Sequence, residues 1–341
     1  GLVGSEMCIR DRIRREQDME RQEAVECFTR EAEPVLEEGK KLFYRELQEK
    51  TEQLSAVICD AIHEIRLETV RLEKEKMMFL HFSLLRVGLE KGEYQILAQA
   101  MDARWYLDTE PAEVGFSLDF LFPMWADIRR ELMENSRKYW GKVNRYDVQN
   151  LVASAVMDCN LMLAQVLRFI FRDVEENPDF AEIEKSDTWA VYWGEYRDHT
   201  ELVAHVNREK KEQIDWDRAL RQTKNEETGM VFGYWYQADL KNSDCKGKLL
   251  YFIVFEDCTL ENMCFDDAVL TGARFLGCRI KNCSFRNAVI HQADFSGCIW
   301  EENDFEGADM LHSVFAEEEL PFIHLKPEQL QLILVDRGRQ E

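Results

Sequence analysis

The chain has 341 residues and a formal net charge of −23, from 43 Lys and Arg against 66 Asp and Glu, with 45% hydrophobic and 32% charged residues. That composition excludes a disordered chain and leaves room for two or three domains with at least one sizeable core. The acidity argues against wrapping nucleic acid or lying on an anionic membrane, and no unbroken apolar run reaches the ~18 residues of a membrane span.

In chain order, the opening GLVGSEMCIRDR resembles a translated sequencing-adapter fragment, so residues 1–12 are expected to be non-native and the native start to be missing. A helix is expected over 14–32, ending before Pro34. A long amphipathic helix follows over 41–76, with Leu54, Ile58, Ala61, Ile65 and Leu72 at rough heptad spacing. Two apolar runs flanking Glu90-Lys91-Gly92-Glu93 read as a β-hairpin within 78–102. Helices are expected at 123–140 and 146–174, the second with Val152, Val156, Cys159, Leu163, Val166 and Ile170 on one face. A charged helix is expected over 206–223, with REKKEQ on its solvated face.

Chemistry-bearing motifs are missing from this N-terminal stretch. It has no HExxH, GxSxG, phosphate loop or dinucleotide fingerprint. His63 sits beside Glu64 on a helix, and His199 and His205 lack an i, i+4 spacing. The aromatic clusters Trp105-Tyr106, Trp189–Trp193 and Tyr234–Tyr236 read as packing rather than as a partner groove. Ten cysteines without any C-x-x-C pair read as free thiols of a reducing cytosol.

The C-terminal third carries a repeat. Steps of five from Phe255 meet Leu260, Phe265, Leu270, Phe275, Ile280, Phe285, Ile290, Phe295, Trp300, Phe305, Met310 and Phe315, all large and apolar. At this composition, thirteen consecutive hits occur by chance about 3 times in 100,000 per frame. Two residues earlier the slot is mostly Ala, Cys or Ser, and two residues later mostly Gly, Asn or Asp, which tolerate tight turns. Period five fits neither helix nor plain strand, but it fits a chain that bends after each short extended piece and rises one coil every four bends.

This pattern resembles the pentapeptide-repeat family, whose fold is a right-handed four-sided β-helix. The resemblance covers about 250–320 and implies the β-helix (246–320); with the elements read above, the chain is α+β, a mainly helical region (13–245) with a small β element, then the β-helix and a C-terminal cap (321–341). The cap is expected to be a short helix starting at Pro327, with Leu330, Ile333 and Leu334 on one face. Phe255, Phe275, Phe295 and Phe315 should stack in one column, and Phe265, Phe285 and Phe305 in the opposite one. Cys258, Cys278 and Cys298 share a face and read as small hydrophobes rather than a metal or redox ladder, and Asn303 reads as a satisfied inward polar residue.

No catalytic, cofactor-binding or metal-ligating set is expected. The reading is a non-enzymatic, cytoplasmic protein–protein interaction or scaffold module, with an unidentified protein partner, no nucleic acid and no membrane. The resemblance also implies two finer possibilities, a homodimer through the C-terminal segment and an acidic DNA mimic that inhibits a type II topoisomerase. Against mimicry, residues 246–320 hold 14 acids and 6 bases whose outward signs interleave: Glu261, Lys281 and Glu301 in one column, Asp266, Arg286 and Glu306 in another, and Arg274 over Asp294. An enzyme with an unrecognised N-terminal site is the remaining alternative.

Overall fold

The computed structural model describes residues 20–223 and 228–337, so the expectations for residues 1–19 lie outside the described residues. The chain divides into two compact units, 1–205 and 206–341.

Unit one is built on a five-stranded sheet. Helix α1 (Arg21–Glu49) runs straight through Pro34, and α2 (Thr51–Arg71) follows after a break at Lys50. The expected stop at Pro34 therefore fails. Pro34 lies on the exposed side, where water can satisfy the carbonyl one turn back. The opposite side, Ala24, Phe28, Ala32, Gly39, Phe43 and Leu47, keeps an unbroken buried stripe. The break expected nowhere within 41–76 comes at Lys50, whose ammonium donates to the Phe120 carbonyl at 2.9 Å while the Thr51 hydroxyl donates to the Leu47 carbonyl at 2.7 Å. The Thr51 hydroxyl competes with the helix ladder for the Leu47 carbonyl, while the Lys50 contact anchors the break.

The expected hairpin is present as β1 (Met77–Leu84) and β2 (Gln95–Met101), paired antiparallel. It forms the middle of the sheet, which β3 (Ala112–Ser117), β4 (Lys185–Glu195) and β5 (Thr200–Asn207) enlarge in the order β3-β2-β1-β4-β5, with β1 and β4 parallel. Helices α3 (Met124–Ser136), α4 (Arg145–Ile170) and α5 (Pro178–Glu182) complete the unit. Asn144 and Asp147 form a capping box that starts α4. On one sheet face Leu80, Phe82, Val191 and Trp193 are buried. Asn160 of α4 locks onto β4 there, donating to the Gly194 carbonyl at 3.1 Å and accepting from the Trp193 indole at 2.8 Å. By length and mean hydropathy α4 alone among the described helices could cross a membrane, yet ten of its residues, Val148 to Arg168, are buried within the protein.

Unit two is a four-sided coil, shown from Tyr234 onward by pairing that joins residues twenty apart. One side stacks β6 (Tyr234–Tyr236), β8 (Val254–Glu256) and β10 (Arg274–Leu276). The next side stacks β7 (Asp239–Lys241), β9 (Thr259–Glu261), β11 (Arg279–Lys281) and β12 (Ile299–Glu301). Single bridges such as Asp244↔Cys264↔Ser284↔Asp304 and Leu249↔Val269↔Val289↔Asp309 close the other two sides. The result is a β-solenoid of about five turns.

The coil starts earlier than residue 246. Trp235, Leu240, Cys245 and Leu250 already occupy the inward slot and are buried, so the boundary at 246 falls inside the first coil. The expected helix over 206–223 is shorter, α6 (Gln213–Gln222), because the preceding residues serve the coil edge instead. Within REKKEQ, Lys210 bridges to Tyr236, the Lys211 ammonium donates to the Tyr234 carbonyl at 2.8 Å, and Arg208 grips Glu256 at 2.9 Å.

Candidate interaction surface

The interior of the coil is filled. All thirteen expected core positions are buried, from Phe255 and Leu260 through Phe285 to Met310 and Phe315. The phenylalanine columns stack as the spacing requires: Phe255, Phe275, Phe295 and Phe315 at 4.7–5.1 Å between ring centroids, and Phe265, Phe285 and Phe305 at 4.8–5.0 Å. Rings from opposite columns meet edge to face, as Phe265 and Phe275 do at 6.3 Å. At the start of the stack, Trp216 of α6 is buried edge-on against Trp235 at 4.9 Å. Nothing in the period-five register announces this lid, because Trp216 lies outside it.

The small inward slot has a second role that composition alone does not reveal. Cys258, Cys278 and Cys298 thiols donate to the carbonyls of Trp235, Phe255 and Phe275, at 3.2, 3.3 and 3.0 Å. Cys283, Asn303 and Ser313 make the same contact with Leu260, Ile280 and Ile290. Each of these six residues thus reaches the carbonyl of the core position 23 residues earlier, on the coil below. Asn303 also accepts from the Cys283 backbone N–H at 2.8 Å, so both ends of its amide are paired. Burial pushes the Cys283 thiol up to about 11 and Cys278 well above the ordinary range, while contact with Cys278 raises Cys258. These protonated thiols act as donors within the stack.

Bends recur two residues after every core position. From Gln237 to His312 in steps of five, every one of these residues has positive φ, glycine or not. Gly272 is required there, since a Cβ would stand 2.4 Å from the Phe252 ring.

With the interior occupied, only outward positions remain for recognition. The face of β7, β9, β11 and β12 is the most regular. It carries a ladder in which Lys241 meets Glu261 at 3.1 Å, and Lys281 meets Glu261 at 4.0 Å and Glu301 at 3.7 Å. Beside it run Thr259, Arg279 and the half-exposed Ile299, with Arg279 2.7 Å from Glu301. The Arg274–Asp294 pairing is present at 3.9 Å. The column of Asp266, Arg286 and Glu306 differs from expectation. Arg286 pairs with Asp304 at 2.5 Å and with Glu306 at 3.9 Å, whereas Asp266 accepts from the Ser284 hydroxyl and the Arg286 backbone N–H.

The C-terminal end is closed by more than a helix. The expected helix is a single turn, α7 (Pro327–Leu330), followed by β14 (Leu334–Asp336), which pairs in parallel with β13 (Val314–Ala316). Leu330 and Leu334 face outward rather than onto the stack, because the segment enters the sheet as a strand at 334; Ile323, Ile333 and Gln329 are buried instead. Gln329 donates to the carbonyls of Phe305 and Ala308 at 2.8 and 3.1 Å, and Glu319 accepts from the Cys298 and Ala316 N–H groups. The last coil's edge is thereby satisfied. Phe322, Leu330, Leu334 and Val335 are left exposed around it.

In unit one the aromatic clusters mostly pack. Trp189 and Trp193 are buried, while Trp105 and Tyr106 lie against His81. His63 is paired with Asp179 at 3.0 Å, and His199 with Glu201 at 3.1 Å. His81, which sequence reading passed over, is fully buried with its Nδ1 2.9 Å from the Tyr106 hydroxyl and 3.4 Å from Ser83. Burial lowers its imidazole to about 4, so it is neutral at physiological pH. Ser83 is also fully buried, which leaves this Ser–His pair without an approach for a substrate.

These features define a class: a capped, four-sided β-helical repeat whose interior is wholly structural. Residues 253–325 match the family described as "Pentapeptide repeat region", and this part of the chain belongs to that family. Comparison with curated protein sequences finds no match. Among solved structures, a pentapeptide repeat protein (Rfr23) from the cyanobacterium Cyanothece 51142 is similar at 22% identity over 23% of this chain and 59% of that chain, with a TM-score of 0.19. The pentapeptide repeat protein alr5209 from Nostoc Pcc 7120 is similar at 13% identity over 38% of this chain and 99% of that chain, TM-score 0.20. QnrB1, a plasmid-mediated fluoroquinolone resistance protein, is similar at 16% identity over 25% of this chain and 61% of that chain, TM-score 0.15. The chain thus spans 59% of the length of the Cyanothece protein.

Proposed function

We propose that the protein is a non-enzymatic interaction or scaffold protein of the cytoplasm, and that it recognises a protein partner through the outer faces of its β-helix. The observation that carries this reading is the division of labour in the repeat. From Phe255 onward the inward side chains are committed to packing or to a carbonyl of the coil below, so the outward residues can vary without loss of fold. The face of β7, β9, β11 and β12 is the favoured one, since it is flat, built of four parallel strands, and presents Ile299 among paired charges. The test is co-precipitation from cytosol with the full chain beside one ending at His205. A partner retained only by the full chain supports the reading; a partner retained equally by both overturns it.

A second copy docking on the C-terminal end is the subsidiary proposal, carried by the exposed Phe322, Leu334 and Val335 at β14, which pairs with β13 alone among the described residues. Light scattering should report a dimer for the native chain and a monomer for Leu334→Glu. Duplex mimicry is disfavoured, because the acids of the best-ordered face alternate with Lys241, Lys281 and Arg279 rather than forming an uninterrupted strip. A supercoiling assay with no inhibition at micromolar protein is the expected result.

A further inference from the structure

Unit one contains a cavity of about 490 Å³, bounded by the β1–β2 connection, α3 and the N-terminal half of α4. It lies where the parallel strands β1 and β4 end, with Arg86 just past β1 and Glu195 the last residue of β4. The carboxyl ends of parallel strands are a recurrent place for ligands, and the volume is that of a small-molecule site.

The charges lining it are unequal in their commitments. Arg86 is held by Glu195 and lies 3.4 Å from Asp198, so this cation and the Glu195 carboxylate neutralise one another. Arg129 has no carboxylate partner among the described residues. Its Nη2 donates to the Leu89 carbonyl at 2.7 Å and its guanidinium also hydrogen-bonds the Tyr94 side chain, which fixes the group, while its Nε–H is occluded from the cavity. The guanidinium that lines the cavity is thus positioned but not neutralised by a carboxylate, and an anionic acceptor is the group that would complement it. Around it, Gln149, Asn150 and Ser154 line the same space from α4 and add neutral donors. Glu90 also lines the cavity but is exposed to solvent, where its repulsion of an anion is screened.

We propose that this cavity binds a small anionic metabolite, whose carboxylate or phosphate is held by Arg129 together with Gln149, Asn150 or Ser154. The inference is independent of the recognition surface on the repeat. It gives the N-terminal unit a ligand of its own.

The test is calorimetric titration of the full chain with inorganic phosphate, succinate and L-glutamate. At least one of the three should bind saturably with a Kd below about 1 mM. Phosphate alone would identify a phosphoryl ligand, and succinate or glutamate a carboxylate. Arg129→Gln should weaken the bound probe about tenfold or more. Ser154→Phe, at an exposed position on α4, fills the space without touching the core and should do the same, which keeps the test decisive if Arg129→Gln fails to fold. No binding by any of the three probes overturns the proposal, as does binding that Ser154→Phe leaves unchanged.

Discussion

The two units solve the problem of burying apolar surface in different ways. In the β-helix each residue's role follows from its place in a five-residue frame: small inward, large inward, bend. Phe285 is stacked between Phe265 and Phe305, twenty residues to either side, and any coil looks like the next. In the N-terminal unit no frame repeats. Phe82 is buried because β1 pairs in parallel with a strand that begins a hundred residues later, placing Phe82 beside Trp193 and near Phe171 of the chain following α4. A modular core distributes its stability over equivalent layers, whereas a nonlocal core concentrates it in a few singular contacts.

The comparison is broken most violently by placing a charge inside the modular core. Phe285→Asp should abolish the cooperative unfolding of the repeat while leaving the signal of unit one, because an unpaired carboxylate then replaces a ring in the middle of the stack. Phe285→Ala should cost about 3–5 kcal/mol. Circular dichroism and limited proteolysis would separate the two units; equal damage to both would contradict their independence.

Acid is the sharper probe of the singular core. His81 titrates near 4 in the fold against 6.5 when free, so the unfolded chain binds the extra proton between those values. Its contribution is fully present above about pH 6.5 and falls away as the pH drops towards 4, by roughly 3 kcal/mol. Denaturant melts of His81→Gln should show a flatter pH dependence in this window, in unit one alone. An unchanged slope would mean that the imidazole is not held neutral by burial.

A smaller effect is expected where the repeat departs from its own rule. Asn303→Leu restores an apolar inward slot but removes a donor from the Ile280 carbonyl and strands the Cys283 N–H, which should cost about 1–3 kcal/mol. A stabilised variant would show that the slot wants hydrophobicity rather than a donor. The smallest effect belongs to the outer face. Lys281→Ala removes one rung of an exposed ion-pair ladder and should change stability by no more than about 1 kcal/mol.

These differences also explain what could be read from the sequence. The thirteen core positions, the bends and the stacked columns were legible because the repeat is local: each residue's environment is set by neighbours five and twenty away. The same frame extends back through Leu250, Cys245, Leu240 and Trp235, but it is diluted there by Lys248 in the small slot and Phe252 at a bend, so the first coil went unread. The outer strands β3, β4 and β5 were not legible. Their pairing joins distant segments, and β4 alternates only partly because both its faces are covered. Pro34 and Lys50 misled for a related reason: tertiary burial carried a helix past one breaker, while side-chain contacts ended it where no breaker stands. The recognition surface was visible only by subtraction, as the residues that the repeat does not use inside.

The claim that those unused residues carry recognition is tested most directly by changing one face without touching the fold. A full-length variant with Arg279→Ala, Lys281→Ala and Ile299→Ser would be compared with the native chain for unfolding midpoint and for partner capture. The account predicts a nearly native repeat that no longer retains the partner. A folded variant that still captured it with native affinity would contradict the assignment of recognition to this face.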